Sequence, residues 1–435
     1  MYGVLLMTSL KVRPATEKEY DAVKLCIARS FADDPDNPGM PVFMKAPMLR
    51  NDYLWGAFVD GSPVAGTMLV PFELEIDGCR IRVIGLTGVG TDPDFRRKGY
   101  ASRLLEGIHE FVAGEGFDGM VLHSAADMLY RKLDYEFAFC AWEGSFSADM
   151  LEEFESKAYS VDFLLPMEIQ SALVDDLNKI RSQSGQFQRR NMKVVRTDET
   201  FAYQLKNMLT LRGYMLAVLR NSDDILGYSI FRAKDRSLSI VELMLKNPDE
   251  ETYACLLKGI TDEFTADFKE VKISLYTEDY EIIRMIEKYS GSVTKRYLTG
   301  NMVCIFDPAE ILRKLEPAFN RRLNANEDEL RPIKNKLDFK IDVTSQFTGK
   351  RSIISFKFDP KEPVIQMERT KVIKDLSGIE QVVRVNWDEF TALVFGFVEL
   401  DDTEILENKQ DPEIQSILAI LFPPLEPIWD YFHEY

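Results

Sequence analysis

A short basic loop is the part of this sequence whose residue types and spacing are best suited to chemistry. It reads Arg96-Arg97-Lys98-Gly99, and it follows a strand-like apolar run, Val83 to Val89, and precedes a segment with helical spacing of apolar residues. A helix N-terminus presents N–H groups without intrahelical partners and a partial positive charge, so it attracts phosphate. Glycine lets a phosphate approach the backbone closely. The loop therefore predicts a phosphate-binding site, although the same residues would also form a plain basic helix cap.

The elements around the loop predict a mixed α/β domain. Thr16-Glu17-Lys18-Glu19 forms a capping box before a first helix, and Asp60-Gly61 and Asp77-Gly78 mark turns between strand-like runs. Met120 to His123 reads as a buried strand after the loop's helix. The apolar residues of that helix recur at helical spacing: Ala101, Leu104, Leu105, Ile108 and Val112. The predicted order is one helix, an antiparallel meander, then strand, helix and strand.

The same order recurs about 155 residues later, which is typical of a duplicated domain rather than a solenoid. The strand-like run Leu238 to Leu245 leads into Asn247-Pro248-Asp249, the counterpart of Asp92-Pro93-Asp94. The basic loop is replaced by Glu250-Glu251-Thr252-Tyr253-Ala254, which has acids in place of cations and no glycine. We expect this copy to repel pyrophosphate, to be catalytically silent and to shape the substrate pocket, with a different ligand left open.

A third segment begins near Glu316, where the pattern of apolar and polar residues changes. Leu337 to Val343 and Ser352 to Phe358 alternate like half-exposed antiparallel strands, and they predict a smaller α+β domain. The polar stretch Leu323 to Glu329 is predicted to be a linker. The resulting division is 1–155, 156–315 and 316–435.

Composition and charge exclude several classes of protein. The chain has 435 residues, 46% apolar and 29% charged, with no apolar run long enough to cross a membrane, so we expect a cytoplasmic protein. The net charge is -18, which disfavours nucleic acid and favours cationic partners such as amines, although it also simply keeps a protein soluble. Five scattered cysteines and three histidines argue against a disulfide framework and against a metal centre.

The spacing Arg96-x-x-Gly99-x-Ala101 between strand and helix resembles the acetyl-CoA signature R/Q-x-x-G-x-G/A of the GNAT acetyltransferases. The resemblance implies acetyl-CoA as cosubstrate, with no metal. It implies backbone contacts of Val89, Gly90 and Thr91 with the pantetheine and thioester. It also implies that the pyrophosphate is wrapped by Arg96, Arg97, Lys98, Gly99, Tyr100, Ala101 and Ser102.

A second match to the same family lies downstream. Asp127 to Glu136 resembles the pattern F/I-Y-x-x-F/L-G-Y-E, whose first tyrosine lies beside the coenzyme sulfur, and this position is Tyr130. A tyrosine with a pKa near 10 is able to return a proton to a departing thiolate. The resemblance thus implies Tyr130 as general acid, unless it is only a core tyrosine. Tyr135 is interpreted as structural, and Asp134 replaces the usual glycine.

One GNAT-like domain, one degenerate copy and a small third domain together resemble the enhanced intracellular survival (Eis) acetyltransferases. Gly300 to Pro308 is similar to that family's strand closing the second domain, and the third domain is similar to a sterol-carrier domain. In that family the C-terminal α-carboxylate enters the first active site as the base, which implies a catalytic role for Tyr435. The aromatic tail is otherwise explained by packing on its own domain. The resemblance also implies a closed homo-oligomer, of which a hexamer is one form.

The acceptor implied by the resemblance is a primary amine of a cationic small molecule, of the aminoglycoside or polyamine type. Ser30-Phe31-Ala32-Asp33 is similar to the family's S-F-x-D, and Glu434 adjoins the terminal carboxylate, so Asp33 and Glu434 are the predicted substrate contacts. No nucleic acid or membrane partner is expected. Two alternatives remain: acetylation of a peptide lysine, and a non-catalytic protein whose third domain carries a lipid or another ligand.

Overall fold

The computed structural model describes residues 10–39, 53–124, 126–151, 154, 159–190, 192–211, 213–222, 224–234, 237–264, 270–275, 279–297, 300–370, 381–397 and 411–425. The described chain divides into two compact units, one formed by residues 1–138 with 299–425 and the other by residues 139–298. None of the helices in the described ranges is long and apolar enough to cross a membrane.

The first part of the chain is built on two tight hairpins. Asp60-Gly61 and Asp77-Gly78 all have positive φ, as a two-residue hairpin turn requires. The capping box at Thr16 and Glu19 is formed as predicted, with the Thr16 N–H donating to the Glu19 carboxylate at 2.8 Å. The elements are β1 (Leu10–Pro14), α1 (Tyr20–Phe31), β2 (Leu54–Val59), β3 (Ser62–Ile76), β4 (Cys79–Thr91), α2 (Tyr100–Gly114), β5 (Gly119–His123), α3 (Asp127–Arg131) and β6 (Glu136–Phe137).

The middle part of the chain repeats the order of meander, strand, helix and strand. Its elements are β7 (Cys140–Ser147), β8 (Ser160–Leu164), α4 (Ser171–Gln183), α5 (Gly185–Arg189), β9 (Met192–Val195), α6 (Asp198–Leu211), β10 (Met215–Asn221), β11 (Asp224–Lys234), β12 (Ser237–Leu245), α7 (Glu250–Phe264), β13 (Glu270–Leu275), α8 (Tyr280–Lys288) and β14 (Ser292–Tyr297). Seven of these strands form one sheet, in the order β14-β7-β13-β12-β11-β10-β8.

The last part of the chain contributes to the first sheet and also forms a third one. Its elements are β15 (Asn301–Ile305), α9 (Pro308–Ala325), α10 (Glu327–Leu330), β16 (Leu337–Thr344), β17 (Arg351–Asp359), β18 (Val364–Thr370), β19 (Val382–Asn386), α11 (Trp387–Val394) and α12 (Pro412–Leu421). The third sheet has four strands in the order β18-β17-β16-β19. Mixed sheets with packed helices confirm the predicted α/β fold class, and the third, smaller sheet agrees with the predicted α+β part.

The sequence suggested that strand β15 closes the second domain, and this prediction is wrong. Strand β15 lies in the first sheet, whose order is β1-β2-β3-β4-β5-β15-β6. All five residues of β15 are buried, which is typical of a strand with neighbours on both sides. Two glycines allow the close approach to β5. A Cβ at Gly119 would lie 2.2 Å from the Cys304 carbonyl oxygen, and one at Gly300 would lie 2.6 Å from that of Ser124.

The predicted linker Leu323 to Glu329 is instead helical, and the predicted boundary at Glu316 falls inside α9. Helix α9 contacts β17 and β18 of the third sheet and β4 of the first. Its Lys314 ammonium pairs with the buried Asp118 carboxylate at 2.6 Å. The third sheet is therefore packed onto the first within one compact unit, and polarity alone did not reveal the helix that joins them.

Candidate active site

Strands β4 and β5 separate at the end that leads into the basic loop. Their parallel pairing runs from Val83 opposite Gly119 to Leu86 opposite Leu122, whereas β4 continues to Thr91. Past Leu86, β4 therefore has no partner in β5. Its backbone N–H and C=O groups on that side are available to a ligand that enters between the two strands.

A β-bulge in β4 lies in this separated stretch. The register with β3 shifts so that Gly88 and Val89 both oppose Thr67. Gly88 has a φ of +67°, which glycine adopts readily, and the buried Thr67 hydroxyl donates to the Thr87 carbonyl at 3.0 Å. The bulge takes Val89 out of the regular ladder. Sequence reasoning named Val89 but missed Gly88, whose role depends on a register that the sequence does not show.

Helix α1 packs so closely against the end of β4 that Gly90 has no room for a side chain. A Cβ at Gly90 would lie 1.9 Å from Ser30 Oγ, and the Ser30 hydroxyl is itself held by the Ile27 carbonyl at 2.7 Å. The ring edge of Phe31 lies 3.5 Å from the same Cβ position, and Phe31 is 53% exposed. The end of α1, followed by the exposed Asp33, thus lies beside the bulge.

Arg29 of α1 fixes the start of the basic loop. Its guanidinium bonds the Asp92 carboxylate at 2.8 Å and the Asp94 carboxylate at 3.0 Å. Arg96 donates to the Ser30 carbonyl at 2.9 Å, a favourable place for a cation because it lies in the last turn of α1. The two acids of the loop are therefore already paired with a cation, so they oppose an incoming anion less.

The N-terminus of α2 is open. Gly99 occupies the cap position with a φ of +78°, no side chain caps this terminus in the described structure, and a Cβ on Gly99 would meet nothing within 4 Å. The first helical hydrogen bond runs from the Arg103 N–H to the Gly99 carbonyl at 3.1 Å. Arg97 and Lys98 are exposed beside it. Three backbone N–H groups precede the first helical hydrogen bond and therefore lack an intrahelical acceptor: those of Tyr100, Ala101 and Ser102.

The corresponding helix of the second copy, α7, is closed by its own side chains. The Asp249 carboxylate accepts from the Thr252 N–H at 2.8 Å and from the Thr252 hydroxyl at 2.7 Å. Glu250 and Glu251 place two further acids in the first turn. An anion at this terminus would meet carboxylates where α2 presents cations and free N–H groups.

Tyr130 lies on α3 with its ring in the core of the first sheet. It is 6% exposed, and its ring packs edge-on against Tyr135 with centroids 5.6 Å apart. Burial raises the pKa of Tyr130 to about 12. Among the described residues nothing hydrogen-bonds its hydroxyl. The Tyr130 hydroxyl is therefore neutral throughout the physiological pH range. Among the described residues no other group competes for its proton by accepting a hydrogen bond.

Tyr135 has the structural role that its sequence position suggested. Its hydroxyl lies 3.0 Å from His109 Nε2, and both side chains are buried. Burial, and secondarily the charge of Lys350, lowers the pKa of His109 to about 3. The pair is neutral and belongs to the core between α2 and the sheet.

His109 is expected to make stability fall as the pH falls. The unfolded chain gains a proton at His109 below about pH 6.5, whereas the folded chain gains it only near pH 3. The stabilising contribution is thus present above pH 6.5 and is lost between pH 6.5 and about 3. In urea unfolding from about pH 7.5 to about pH 5, His109→Gln, which stays neutral, should lessen the slope by up to about 1.4 kcal/mol per pH unit, a value approached only below about pH 6. Equal slopes in the two proteins would contradict this assignment.

His123 is a candidate site residue that sequence reasoning missed. It ends β5 one residue past the last pair with β4, and it is exposed. Its Nδ1 lies 2.6 Å from the side-chain oxygen of the buried Asn301, which is directly opposite on β15. Because an amide oxygen only accepts, Nδ1 carries the proton and Nε2 keeps its lone pair. The sequence could not predict the pairing of His123 with Asn301, because the strand that contains Asn301 was assigned to the other domain.

The structure brings most of the predicted site residues to one end of the first sheet. Val89, Gly90 and Thr91 lie at the separated end of β4, and the loop from Arg96 to Gly99 leads directly to the open terminus of α2. Tyr435 and Glu434 lie outside the described residues. In the described ranges no three His, Cys, Asp or Glu side chains are grouped closely enough to hold a metal ion.

Comparison with known proteins shows what this chain is similar to. Residues 11–138 match the acetyltransferase (GNAT) domain family. Over nearly its whole length the chain is similar in structure to a probable N-acyltransferase of unknown function from Enterococcus faecalis, with 14% identity, 98% of each chain covered and a TM-score of 0.67. No curated protein matches the sequence.

Two further solved structures have the same overall fold. A GCN5-related N-acetyltransferase from Kribbella flavida is 16% identical, with 98% of this chain and 99% of that chain covered and a TM-score of 0.64. Eis1 from Mycobacterium abscessus is also 16% identical, with 95% and 97% covered and a TM-score of 0.63. Residues 11–138 thus match an acetyltransferase domain, and the solved structures share the fold of nearly the whole chain. Enzymes of this domain family draw their acyl group from acyl-CoA.

Proposed function

We propose that the protein transfers the acetyl group of acetyl-CoA to a primary amine of a cationic small molecule, of the aminoglycoside or polyamine type. The observation that carries this proposal is the open, uncapped N-terminus of α2 beside the separated end of β4. The pyrophosphate is bound by the free N–H groups of α2 with Arg97 and Lys98, and the pantetheine lies along β4 at Val89 to Thr91.

The transfer follows from that placement. The amine lone pair attacks the thioester carbonyl, a C–N bond forms, the C–S bond breaks, and the proton lost from nitrogen goes to a base. The oxyanion is met by backbone N–H groups near Val89, where the bulge interrupts the ladder. Tyr130 donates a proton to the departing thiolate.

A cationic acceptor is favoured by the acidic surface. The chain carries a net charge of -18, and Asp33, Asp34 and Asp36 are all exposed directly after α1. Of these, Asp36 lies 3.7 Å from Arg29, so Asp33 and Asp34 are the acids better placed to receive an amine. Glu434 is the second proposed contact, by resemblance.

The acceptor class is tested by the release of CoA thiol from acetyl-CoA with aminoglycosides, polyamines and a lysine peptide compared at equal concentration. We expect turnover with multiply charged amines and a rise in their KM of about threefold in Asp33→Asn, since one exposed charge is removed. Preference for the lysine peptide would favour the alternative acceptor. Absence of turnover with every amine, together with no binding of acetyl-CoA, would favour a non-catalytic carrier.

Two groups are candidates for the base. Family resemblance implies the α-carboxylate of Tyr435, which would need desolvation or a water relay because such a group has a pKa near 3.5 in water. The second candidate is His123, because Asn301 fixes its Nδ1–H and leaves Nε2 as an acceptor at the separated end of β5.

Two variants distinguish the candidate bases: His123→Gln and a chain that lacks Tyr435. If His123 accepts the proton, His123→Gln lowers kcat/KM for the amine about a hundredfold and leaves the Kd for acetyl-CoA unchanged. Loss of turnover only in the shortened chain would assign the role to Tyr435 instead.

The remaining roles follow the same resemblance. We propose that the domain carrying the basic loop is catalytic, that the copy at residues 139–298 is silent, and that a sterol-carrier-like part following α9 delivers the C-terminal tail to the first active site. The self-capped terminus of α7 supports the silent role of the second copy. A closed homo-oligomer and a cytoplasmic location are proposed on the same basis.

A further inference from the structure

Asp134 adopts a backbone conformation that usually belongs to glycine. Its φ is +64°, and its side chain is 3% exposed. A buried carboxylate is costly unless it is well hydrogen-bonded, and glycine would fill the same conformation without that cost. The Asp134 side chain must therefore make contacts that offset both penalties.

Those contacts come from the turn between β16 and β17 of the third sheet. The Ser345 hydroxyl donates to one oxygen of the Asp134 carboxylate, and the Thr348 hydroxyl donates to the other at 2.9 Å. The turn is itself ordered, because the Ser345 N–H donates to the Lys350 carbonyl at 2.8 Å and the Thr348 N–H donates to Ser345 Oγ at 2.9 Å. Asp134 is thus clamped by a preformed turn.

The clamp acts on the segment that carries Tyr130. The Tyr130 carbonyl accepts from the Leu133 N–H at 2.8 Å and from the Tyr135 N–H at 3.3 Å, while the Asp134 N–H donates to the Arg131 carbonyl at 3.0 Å. Residues from Tyr130 to Tyr135 therefore form one hydrogen-bonded turn. Helix α3 has only five residues, too few to be stable by itself, so its place depends on such outside contacts.

We propose that Asp134 is a positioning residue, through which the β16–β17 turn holds the Tyr130 hydroxyl at the thioester. The third sheet then contributes to catalysis by positioning Tyr130, and this contribution does not require the third sheet to bind a ligand. This inference rests on the proposed role of Tyr130 as the general acid. A misplacement of about 1 Å in a catalytic group costs up to a hundredfold in rate.

The test is Asp134→Gly, which keeps the positive φ and removes both acceptor oxygens. We expect kcat to fall about thirtyfold, with the KM for acetyl-CoA changed less than about twofold, because the proposed pyrophosphate contacts belong to the basic loop and α2, whereas the clamp joins the end of α3 to the β16–β17 turn. Asp60→Gly is the matched control, since Asp60 also has a positive φ but lies in an exposed hairpin turn, and it should keep wild-type kcat.

A double-mutant cycle distinguishes positioning from general damage. In the Tyr130→Phe background, Asp134→Gly should have almost no further effect on kcat, because the hydroxyl that it positions is gone. Fully additive losses, or wild-type turnover in folded Asp134→Gly, would overturn the proposal. If Asp134→Gly does not fold, Thr348→Val removes one donor and should lower kcat severalfold, and unchanged kcat there would equally overturn it. Wild-type turnover in Tyr130→Phe alone would instead refute the role of Tyr130 itself.

Discussion

Tyr130→Phe is expected to lower kcat about a hundredfold while leaving the Kd for acetyl-CoA and the melting temperature nearly unchanged. The substitution removes only a hydroxyl, and that hydroxyl has no hydrogen-bond partner among the described residues, so the folded state loses little. The loss falls on the step in which the C–S bond breaks, because the thiolate then leaves without a proton donor.

The raised pKa of Tyr130 decides how this donor works. Proton transfer from a phenol with a pKa of about 12 to a thiolate with a pKa near 8.5 is uphill by about 5 kcal/mol if the thiolate is in water. The same burial that disfavours the phenolate also disfavours the thiolate, which narrows the gap. We therefore expect Tyr130 to act first as a hydrogen-bond donor and to lose its proton only as the thiolate charge is complete.

Tyr135→Phe is the matched control, because it removes a hydroxyl from the neighbouring buried tyrosine. It breaks the contact with His109 and should lower the free energy of unfolding by about 1 kcal/mol with little change in kcat. Wild-type kcat in Tyr130→Phe, or an equal fall in both variants, would remove Tyr130 from the mechanism.

Gly99→Ala is expected to raise the Kd for acetyl-CoA by about 30-fold. A Cβ at this position meets no protein atom within 4 Å, so it would enter open space at the N-terminus of α2, where the pyrophosphate is proposed to bind. In the absence of ligand the cost is only that of a non-glycine residue at positive φ, about 1 kcal/mol.

Gly116→Ala controls for that backbone cost. Gly116 follows the other end of α2, has a φ of +74°, and likewise has nothing within 4 Å of its Cβ position. The two variants should lose similar stability in thermal unfolding, but only Gly99→Ala should bind acetyl-CoA weakly in calorimetric titration. Equal affinity in both variants would contradict the placement of the pyrophosphate.

The sequence was most informative where function depends on local order. The loop from Arg96 to Gly99 could be placed between strand and helix because a single helix N-terminus forms within a few residues of the chain. The asymmetry of the two copies was likewise visible in Glu250 and Glu251. The structure also shows that the N-terminus of α7 is capped by the Asp249 side chain, so it would be closed to an anion even without Glu250 and Glu251.

Features that join distant segments could not be predicted. β15 is apolar enough for either sheet, and its place beside β5 depends on the close approach allowed at Gly119 and Gly300. Asn301 therefore could not be paired with His123 from the sequence. For the same reason Asp134 looked like a departure from a glycine pattern, whereas in the structure its carboxylate is the acceptor for a turn more than two hundred residues away.

The most direct test of the account is CoA thiol release from acetyl-CoA with a polyamine, measured for the wild-type chain and for the double variant Arg97→Gln/Lys98→Gln. The account predicts amine-dependent release by the wild type and a rise in the KM for acetyl-CoA of about a hundredfold in the variant, since two cations beside the open helix terminus are lost. Unchanged KM in the variant would contradict the assignment of the basic loop as the cosubstrate site. Failure of the wild type to bind acetyl-CoA would contradict the account as a whole.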